Sequence, residues 1–164
     1  MPKRARCPHC DKLFNRDVLD SHIQRCRARG KESNEKTELG RRDVIVDGNN
    51  VAYHLAPSGR PRVANLVLAR QSLVSAGYKP VIVVSAALVH KIDKPHSLRD
   101  LIGFGHIIEA KRGKNDDLII IQTAQQSNAD IVSNDRFLDW QDRYPWLSNR
   151  LRRYRMTPSG LILV

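Results

Sequence analysis

Short runs of β-branched residues alternate with stretches of helical apolar spacing from Asp43 to the end of the chain. Continuous apolar runs of this length are typical of strands buried on both faces of a parallel sheet. The sequence therefore predicts an α/β fold, a parallel sheet flanked by helices on both faces. Strands are predicted at Val44–Val46, Pro80–Val84, His106–Ile108, Ile131–Val132 and, as a closing edge strand, Leu161–Val164. Helices are predicted at Val63–Ala76 and Asp116–Ser127, with a short helical turn at Ser97–Leu101.

The N-terminal part of the chain follows a different pattern. Residues 1–27 form a compact segment rich in cysteine, histidine and basic residues. Residues 28–42 are polar and charged with one large apolar residue, which is typical of a linker because such a stretch cannot bury a core. We therefore predict three segments: a small metal-binding module at 1–27, a polar linker at 28–42 and an α/β domain at 43–164.

The cysteines indicate a zinc site. All 3 cysteines of the chain lie in its first segment, and with one histidine they form a CxxC…HxxxC pattern. The four predicted ligands are Cys7, Cys10, His22 and Cys26. This spacing suits tetrahedral Zn²⁺, and a helix at Asp17–Arg25 would place the last two ligands one turn apart. The sequence thus predicts a small ββα-type zinc finger with structural Zn²⁺, and cysteines used in this way favour a reducing, cytoplasmic location.

The charge balance points to a polyanionic partner. The chain has 28 Lys+Arg against 17 Asp+Glu, a formal net charge of +11. Such an excess favours nucleic acid through release of condensed counterions. The longest apolar run, Pro80–Leu88, is far shorter than the roughly 18 residues that span a bilayer, and no apolar signal-peptide segment follows the basic N-terminus. We expect RNA, or alternatively DNA, as the partner and no membrane association.

Two groups of basic residues suit contacts with a nucleic-acid strand. One precedes the helix predicted at Asp116–Ser127, and the other is interleaved with aromatic residues near the C-terminus, a pattern that favours base stacking combined with phosphate contacts. The candidate RNA-binding residues are Lys111, Arg112, Lys114, Arg136, Arg152 and Arg153. A single zinc finger reads only about three base pairs. The predicted finger is therefore expected to add either a basic contact for nucleic acid or a docking surface for a protein.

Four aspartates lie where predicted strands end or a helix begins. Asp47 follows the first strand, Asp116 and Asp117 open a helix, and Asp135 follows the fourth strand. Functional groups of an open parallel sheet gather beyond the carboxyl ends of its strands, so these carboxylates are expected to converge. Converging carboxylates repel one another unless a cation neutralises them, and hard oxygen ligands suit Mg²⁺ or Mn²⁺. The sequence predicts a divalent-metal site able to activate water for attack on a phosphodiester.

Three short motifs in this order and spacing resemble those of the NYN ribonucleases of the PIN-like superfamily, most closely the Regnase branch. The motifs are Asp47–Val51, the helix start Asn115–Asp117 and Ile131–Asp135, and the resemblance extends from Asp43 to the C-terminus. It implies a PIN-like fold and a metal-dependent endoribonuclease site built from aspartates. The Regnase branch carries a CCCH finger after its nuclease domain, whereas the CCHC pattern here precedes it.

The resemblance also implies roles for individual residues. The implied catalytic acids are Asp47, Asp116, Asp117 and Asp135, of which Asp47, Asp117 and Asp135 would be the ligands of Mg²⁺ or Mn²⁺. Supporting roles are implied for Asn50, Ser133 and Asp139.

The resulting hypothesis is a cytoplasmic, metal-dependent endoribonuclease that cuts single-stranded RNA. One alternative is a non-catalytic zinc-finger protein that binds RNA or DNA, and another is a structure-specific DNase of the PIN-like superfamily. Acids at all four positions favour an enzyme, because a pure binding module gains nothing from clustered like charges. The residues leave the choice between RNA and DNA, and the oligomeric state, open.

Overall fold

The computed structural model describes residues 4–7, 13–15, 17–25, 42–56 and 58–164. The chain divides into two compact units, Met1–Arg41 and Arg42–Val164. Within the described ranges, no helix is long and apolar enough to cross a membrane.

The described residues of the first unit form a small hairpin and a helix. Strands β1 (Arg4–Arg6) and β2 (Leu13–Asn15) pair antiparallel, with Ala5 opposite Phe14. Residues 17–25 are helical (α1), as predicted. The order of these elements is the β–β–α order expected for a small zinc finger.

Two of the four predicted zinc ligands belong to the described residues. Cys7 is buried at 1% exposure, and the ring of His22 stacks on the ring of Phe14 with 3.7 Å between centroids. Cys10 and Cys26 lie outside the described residues, so the zinc site stays a prediction. The linker predicted at 28–42 also lies outside them, except for its last residue, which begins a strand.

The second unit is built on one parallel sheet. Its strands are β3 (Arg42–Asp47), β4 (Tyr78–Val84), β5 (Ile107–Glu109), β6 (Asp130–Val132) and β7 (Leu151–Arg152). They are hydrogen-bonded in the order β5–β4–β3–β6–β7, and every neighbouring pair is parallel. The chain extends the sheet from β3 in one direction through β4 and β5, and then in the other through β6 and β7. The order therefore reverses between β3 and β6, where open parallel sheets bind their ligands.

Helices cover both faces of this sheet, as the apolar strand runs predicted. They are α2 (Gly48–Tyr53), α3 (Val63–Ser75), α4 (Leu88–Lys91), α5 (Pro95–Gly103), α6 (Asp116–Ser127), α7 (Leu138–Gln141) and α8 (Leu147–Arg150). Alternate residues of β3 enter two separate cores: Val44 and Val46 pack with Leu66 of α3, and Ile45 packs with Ile120 of α6. The predicted α/β fold with a flanked parallel sheet is confirmed.

The end of the chain differs from the expected edge strand. Strands β8 (Tyr154–Thr157) and β9 (Gly160–Leu163) form a separate antiparallel hairpin, and β7 is the strand at that edge of the main sheet. The backbone N–H of Leu161 donates to Ser72 Oγ of α3 at 2.9 Å, and the Leu161 side chain is buried in the same core as β3. The hairpin therefore covers a helix instead of extending the sheet.

Candidate active site

The predicted acids meet at the carboxyl edge of the sheet. Asp47 is the last residue of β3, and Asp135 follows β6, the neighbour of β3, by three residues. Asp116 and Asp117 form the first turn of α6, whose N-cap Asn115 accepts from the Leu118 N–H. Because the strands are parallel, these ends lie on one side of the sheet, at the point where the strand order reverses.

A pocket of about 510 Å³ brings these residues together. It is lined by Asp47, Asn49, Asn50, Tyr53, His54, Leu55, Asp116, Asp117, Asn134 and Asp135. All four predicted catalytic acids and the supporting Asn50 are therefore at one site. Ser133 does not line the pocket, but its hydroxyl donates a hydrogen bond to Asp47.

Asp47 is the most buried of the acids, with 6% of its surface exposed. One carboxylate oxygen caps α2 by accepting the Asn50 N–H at 3.1 Å, and the other accepts the Ser133 hydroxyl at 2.8 Å. The pKa of Asp47 is raised to about 6, mainly by burial and to a smaller extent by the charges of Asp117 and Asp116, although these two hydrogen bonds act in the opposite direction. Ionised Asp47 is thus held in place at an electrostatic cost.

Gly48 explains how a helix can begin directly at the end of β3. A Cβ atom at this position would lie 2.7 Å from the Val83 carbonyl oxygen, so any larger residue would collide with β4. Because Gly48 packs closely against β4, α2 begins directly after β3, and Asp47 is its N-cap.

The remaining acids interact electrostatically with Asp47 and with one another. Burial raises the pKa of Asp117, and the charges of Asp116, Asp135 and Asp139 raise it further, while a hydrogen bond from Trp140 lowers it. Asp139 is exposed in the first turn of α7 and does not line the pocket. Its supporting role stays a prediction, with its charge on Asp117 as the observed link.

Ser133 connects the carboxylate of Asp47 with the backbone of Asp135, and its supporting role stays a prediction. Its hydroxyl donates to Asp47, and the same oxygen accepts the Asp135 backbone N–H at 3.0 Å. The residue is fully buried next to the end of β6. Ser133 therefore fixes the position of one acid relative to the turn that carries the other.

Sequence reasoning missed four residues that brace the pocket: Asn49, Ser85, Asn134 and Tyr154. Asn49 Nδ2 donates to Asp116 Oδ2 at 3.1 Å and to Ser85 Oγ at 2.8 Å, and its oxygen accepts the Ser85 N–H. On the other side, Asn134 and Tyr154 both donate to the side-chain oxygen of Asn50. For Asn49 the only local signal was its place in the first motif, directly before Asn50. No local sequence pattern indicated that Tyr154 contacts the pocket residues.

One predicted basic group lies beside a second pocket. Lys111, Arg112 and Lys114 line a cavity of about 460 Å³ with His90 and Glu109. Glu109 is the last residue of β5, so this cavity also lies beyond a carboxyl end of the sheet. The three cations are therefore placed along the same edge as the acids.

The other predicted RNA-binding residues are more scattered. Arg136 is exposed and directly follows the pocket residue Asp135, and Arg153 is exposed after the end of β7. Arg152 Nε forms an ion pair with Asp130 Oδ2 at 2.8 Å, and its side chain is 49% exposed. Their roles in RNA binding stay predictions.

The donor chemistry of the acidic pocket suits a hard divalent cation. It offers several carboxylates whose mutual repulsion and burial raise the pKa of two of them. A divalent cation would relieve both costs and favour the ionised form. As they stand, no three Asp, Glu, His or Cys side chains of the described residues are grouped closely enough to hold a metal ion, so the acids surround the pocket rather than close on one point.

A flanked parallel sheet with aspartates beyond the ends of its central strands is the arrangement expected of a PIN-like domain. The family model of the Zc3h12a-like ribonuclease NYN domain matches residues 40–159, and the chain belongs to this family. The predicted resemblance to NYN ribonucleases is therefore confirmed: residues 40–159 form a domain of this ribonuclease family.

Solved structures support the same fold. The crystal structure of nuclear proteinaceous RNase P 2 (PRORP2) from A. thaliana matches with a TM-score of 0.58 and 18% identity, covering 99% of this chain and 40% of that chain. A second structure of the Arabidopsis thaliana nuclear protein-only RNase P 2 matches with a TM-score of 0.58 and 18% identity, over 97% and 40% of the two chains. At this identity the likeness shows the fold, and the chain spans about 40% of the length of these proteins. The comparison with curated proteins found no match.

Proposed function

We propose that this chain is a metal-dependent endoribonuclease that cleaves single-stranded RNA. The observation that carries the proposal is the single pocket lined by Asp47, Asp116, Asp117 and Asp135 at the reversal point of the sheet. Clustered like charges, one of them on the buried Asp47, destabilise a folded protein, so their presence together supports a function that uses them.

Mg²⁺ or Mn²⁺ would be held by Asp47, Asp117 and Asp135. Bound there, the cation supplies charge stabilisation for the phosphodiester and lowers the pKa of an attacking water. Ser133 and the Asn50 N–H hold Asp47 in a fixed orientation, and Asn49 does the same for Asp116. Preorganised ligands of this kind lower the cost of assembling the site around substrate.

Two apolar residues that line the pocket support a single-stranded substrate. Tyr53 is 40% exposed and Leu55 is 75% exposed, and both line a pocket whose other residues are polar or charged. An exposed aromatic ring beside a phosphate site suits an unpaired base, which stacks on such rings regardless of sequence.

The basic residues beyond the pocket support an internal cut. Lys111, Arg112 and Lys114 lie past the end of β5, along the same edge as the acids. A strand that continues past the scissile phosphate would meet these cations, and each phosphate contact would release a counterion. Such contacts support a substrate whose chain continues past the scissile phosphate.

The first unit would serve this activity as an accessory. In this proposal Cys7, Cys10, His22 and Cys26 bind structural Zn²⁺, and the finger adds either a basic contact for RNA or a docking surface for a protein in the cytoplasm. Its β–β–α order and the burial of Cys7 support the zinc-binding part.

A labelled circular RNA tests the proposal, because only an endonuclease can open it. We expect cleavage of single-stranded circles with Mg²⁺ or Mn²⁺, weaker cleavage of duplex RNA and none in EDTA. Asp117→Asn should lower the rate by about three orders of magnitude, since a metal ligand contributes several kcal/mol to the transition state. Asp43→Asn, which changes an exposed acid at the other end of β3, is the matched control and should leave the rate unchanged.

The same assay separates the alternatives. RNA binding without cleavage under all metal conditions would contradict the enzyme and favour a non-catalytic binding module. Cleavage of structured DNA in preference to RNA would favour the DNase alternative. Equal rates for wild type and Asp117→Asn would show that the acidic pocket is not the active site.

A further inference from the structure

The orientation of the Asn50 side chain is fixed by two hydrogen bonds. Its Oδ1 accepts the backbone N–H of Asn134 at 3.1 Å and the hydroxyl of Tyr154 at 2.7 Å. A backbone N–H can only donate, so the side-chain atom that faces Asn134 must be the oxygen. The Tyr154 hydroxyl, bound to the same oxygen, must therefore also donate.

Tyr154 is itself held firmly in the position from which it donates. Its backbone exchanges two hydrogen bonds with the Asn134 side chain, both at 3.1 Å, and its ring lies 5.3 Å from the His54 ring. The residue is 4% exposed. Burial and the charge of Asp47 raise the pKa of Tyr154 above its usual value, so the hydroxyl keeps its proton.

The nitrogen of the Asn50 amide is left for a ligand. Among the described residues, none of the hydrogen bonds uses Asn50 Nδ2, and Asn50 lines the acidic pocket. The neighbouring Asn49 provides a contrast, because its Nδ2 is already engaged with Asp116 and Ser85.

We propose that Asn50 contacts the RNA and not the metal: its Nδ2 donates to a non-bridging oxygen of the scissile phosphodiester, and Tyr154 is a positioning residue that holds the amide in this orientation. An oxygen that already accepts two hydrogen bonds is a poor ligand for a cation. An N–H donor, in contrast, gives an anionic phosphate an attractive contact among four carboxylates. This inference rests on the proposed function and adds a substrate contact to it.

Stereopure phosphorothioate substrates test the contact. Sulfur is a weaker hydrogen-bond acceptor than oxygen, so one of the two diastereomers at the mapped cleavage site should be cut more slowly by the wild type. Asn50→Ala should lower kcat/KM for the all-oxygen RNA by about 10- to 100-fold, as expected for a hydrogen bond to a charged group. The same variant should remove the difference between that diastereomer and the all-oxygen RNA.

Tyr154→Phe tests the positioning role, because it deletes the hydroxyl and keeps the ring. It should lower kcat/KM by about three- to tenfold, the effect of one ordinary hydrogen bond, and should shrink the same thio effect. Tyr78→Phe, at the first residue of β4 and the opposite end of the sheet, is the matched control. A purely structural role of Tyr154 would lower the rate and leave the thio effect as large as in the wild type.

Metal binding provides a readout that does not depend on cleavage. Calorimetric titration of the RNA-free protein with Mn²⁺ should give the same affinity, within about twofold, for wild type and Asn50→Ala. A loss of Mn²⁺ affinity in Asn50→Ala, or relief of the thio effect when Mn²⁺ replaces Mg²⁺, would show that Asn50 or its phosphate oxygen ligates the metal and would overturn the inference. A wild type that cuts no RNA would instead refute the proposed function itself.

Discussion

Replacing Asp47 by asparagine should make the metal-free protein more stable at neutral pH. Asp47 is 6% exposed, and burial with the nearby Asp117 and Asp116 raises its pKa from 3.8 to about 6. Between these two values the folded state binds more protons than the unfolded state, so stability falls as pH rises. The shift of about two pH units corresponds to roughly 3 kcal/mol in the free energy of unfolding. The wild type has lost this stability completely once the pH is above the pKa of Asp47 in the folded state.

The substitution itself has a smaller opposing effect. The asparagine oxygen can still accept the Asn50 N–H, but its NH₂ group faces the Ser133 hydroxyl, which then loses its acceptor. A lost hydrogen bond of this kind costs about 1 kcal/mol. We therefore expect Asp47→Asn to be about 1 kcal/mol less stable than the wild type near pH 4 and about 2 kcal/mol more stable near pH 7.5.

Urea unfolding in EDTA across this pH range measures the difference. The 2 tryptophans of the chain, Trp140 and Trp146, both lie in the second unit, so their fluorescence follows the unfolding of the proposed nuclease domain. Asp43→Asn at the exposed end of β3 controls for the loss of one charge. A difference between wild type and Asp47→Asn that stays constant with pH would show that Asp47 carries no burial cost in the folded state. The reasoning about the pocket would then be wrong.

Three further outcomes are expected. The intact chain should carry about one zinc per molecule, and Cys10→Ser should remove it without changing the urea midpoint of the second unit, as measured by elemental analysis and tryptophan fluorescence. Neutralising Lys111, Arg112 and Lys114 together in an inactive variant should reduce the slope of log affinity against log salt by about two, since each single-strand phosphate contact contributes about 0.7. An abasic nucleotide beside the cleavage site should slow the wild type and leave Tyr53→Ala unaffected; equal slowing of both would exclude stacking on that ring.

The positions of the catalytic candidates were predictable because they depend on strand ends. Asp47 and Asp135 follow short apolar runs, and the carboxyl ends of parallel strands meet at one edge whatever the detailed packing. The helix start at Asp116 was equally local, because Asn115 is a recognisable N-cap. Each of these predictions required only the type of a secondary-structure element and the residue at which it begins or ends.

The bracing residues could not be predicted in the same way. Tyr154 meets Asn50 across 104 positions of sequence, and it belongs to the β8–β9 hairpin, which packs on α3. The sequence pattern favoured an edge strand there, since Leu161–Val164 has the composition of any short apolar strand. In the structure the Leu161 N–H donates to Ser72 Oγ of α3 and the Leu161 side chain is buried, and no local pattern encodes contacts between residues 89 positions apart.

Asn49 and Asn50 form hydrogen bonds on opposite sides of β3 and so connect the site to both neighbouring strands. β3 lies between β4 and β6, and the first turn of α2 begins directly at its end. Successive residues of a helix point about 100° apart, so Asn49 reaches Ser85 beyond β4 while Asn50 reaches Asn134 beyond β6.

Gly48 makes this arrangement possible, because only a residue without a Cβ fits against β4 at the start of the turn. The four residues 47–50 thus supply an acid, a close approach to the sheet and two side-chain amides that form different hydrogen bonds. The Asn49 amide donates its N–H groups to Asp116 and Ser85. The Asn50 amide accepts through its oxygen, so its N–H groups stay available at the pocket. The two roles differ because Asn49 contacts Ser85 beyond β4 whereas Asn50 contacts Asn134 beyond β6, so the motif depends on the neighbours of β3 as well as on the chemistry of the site.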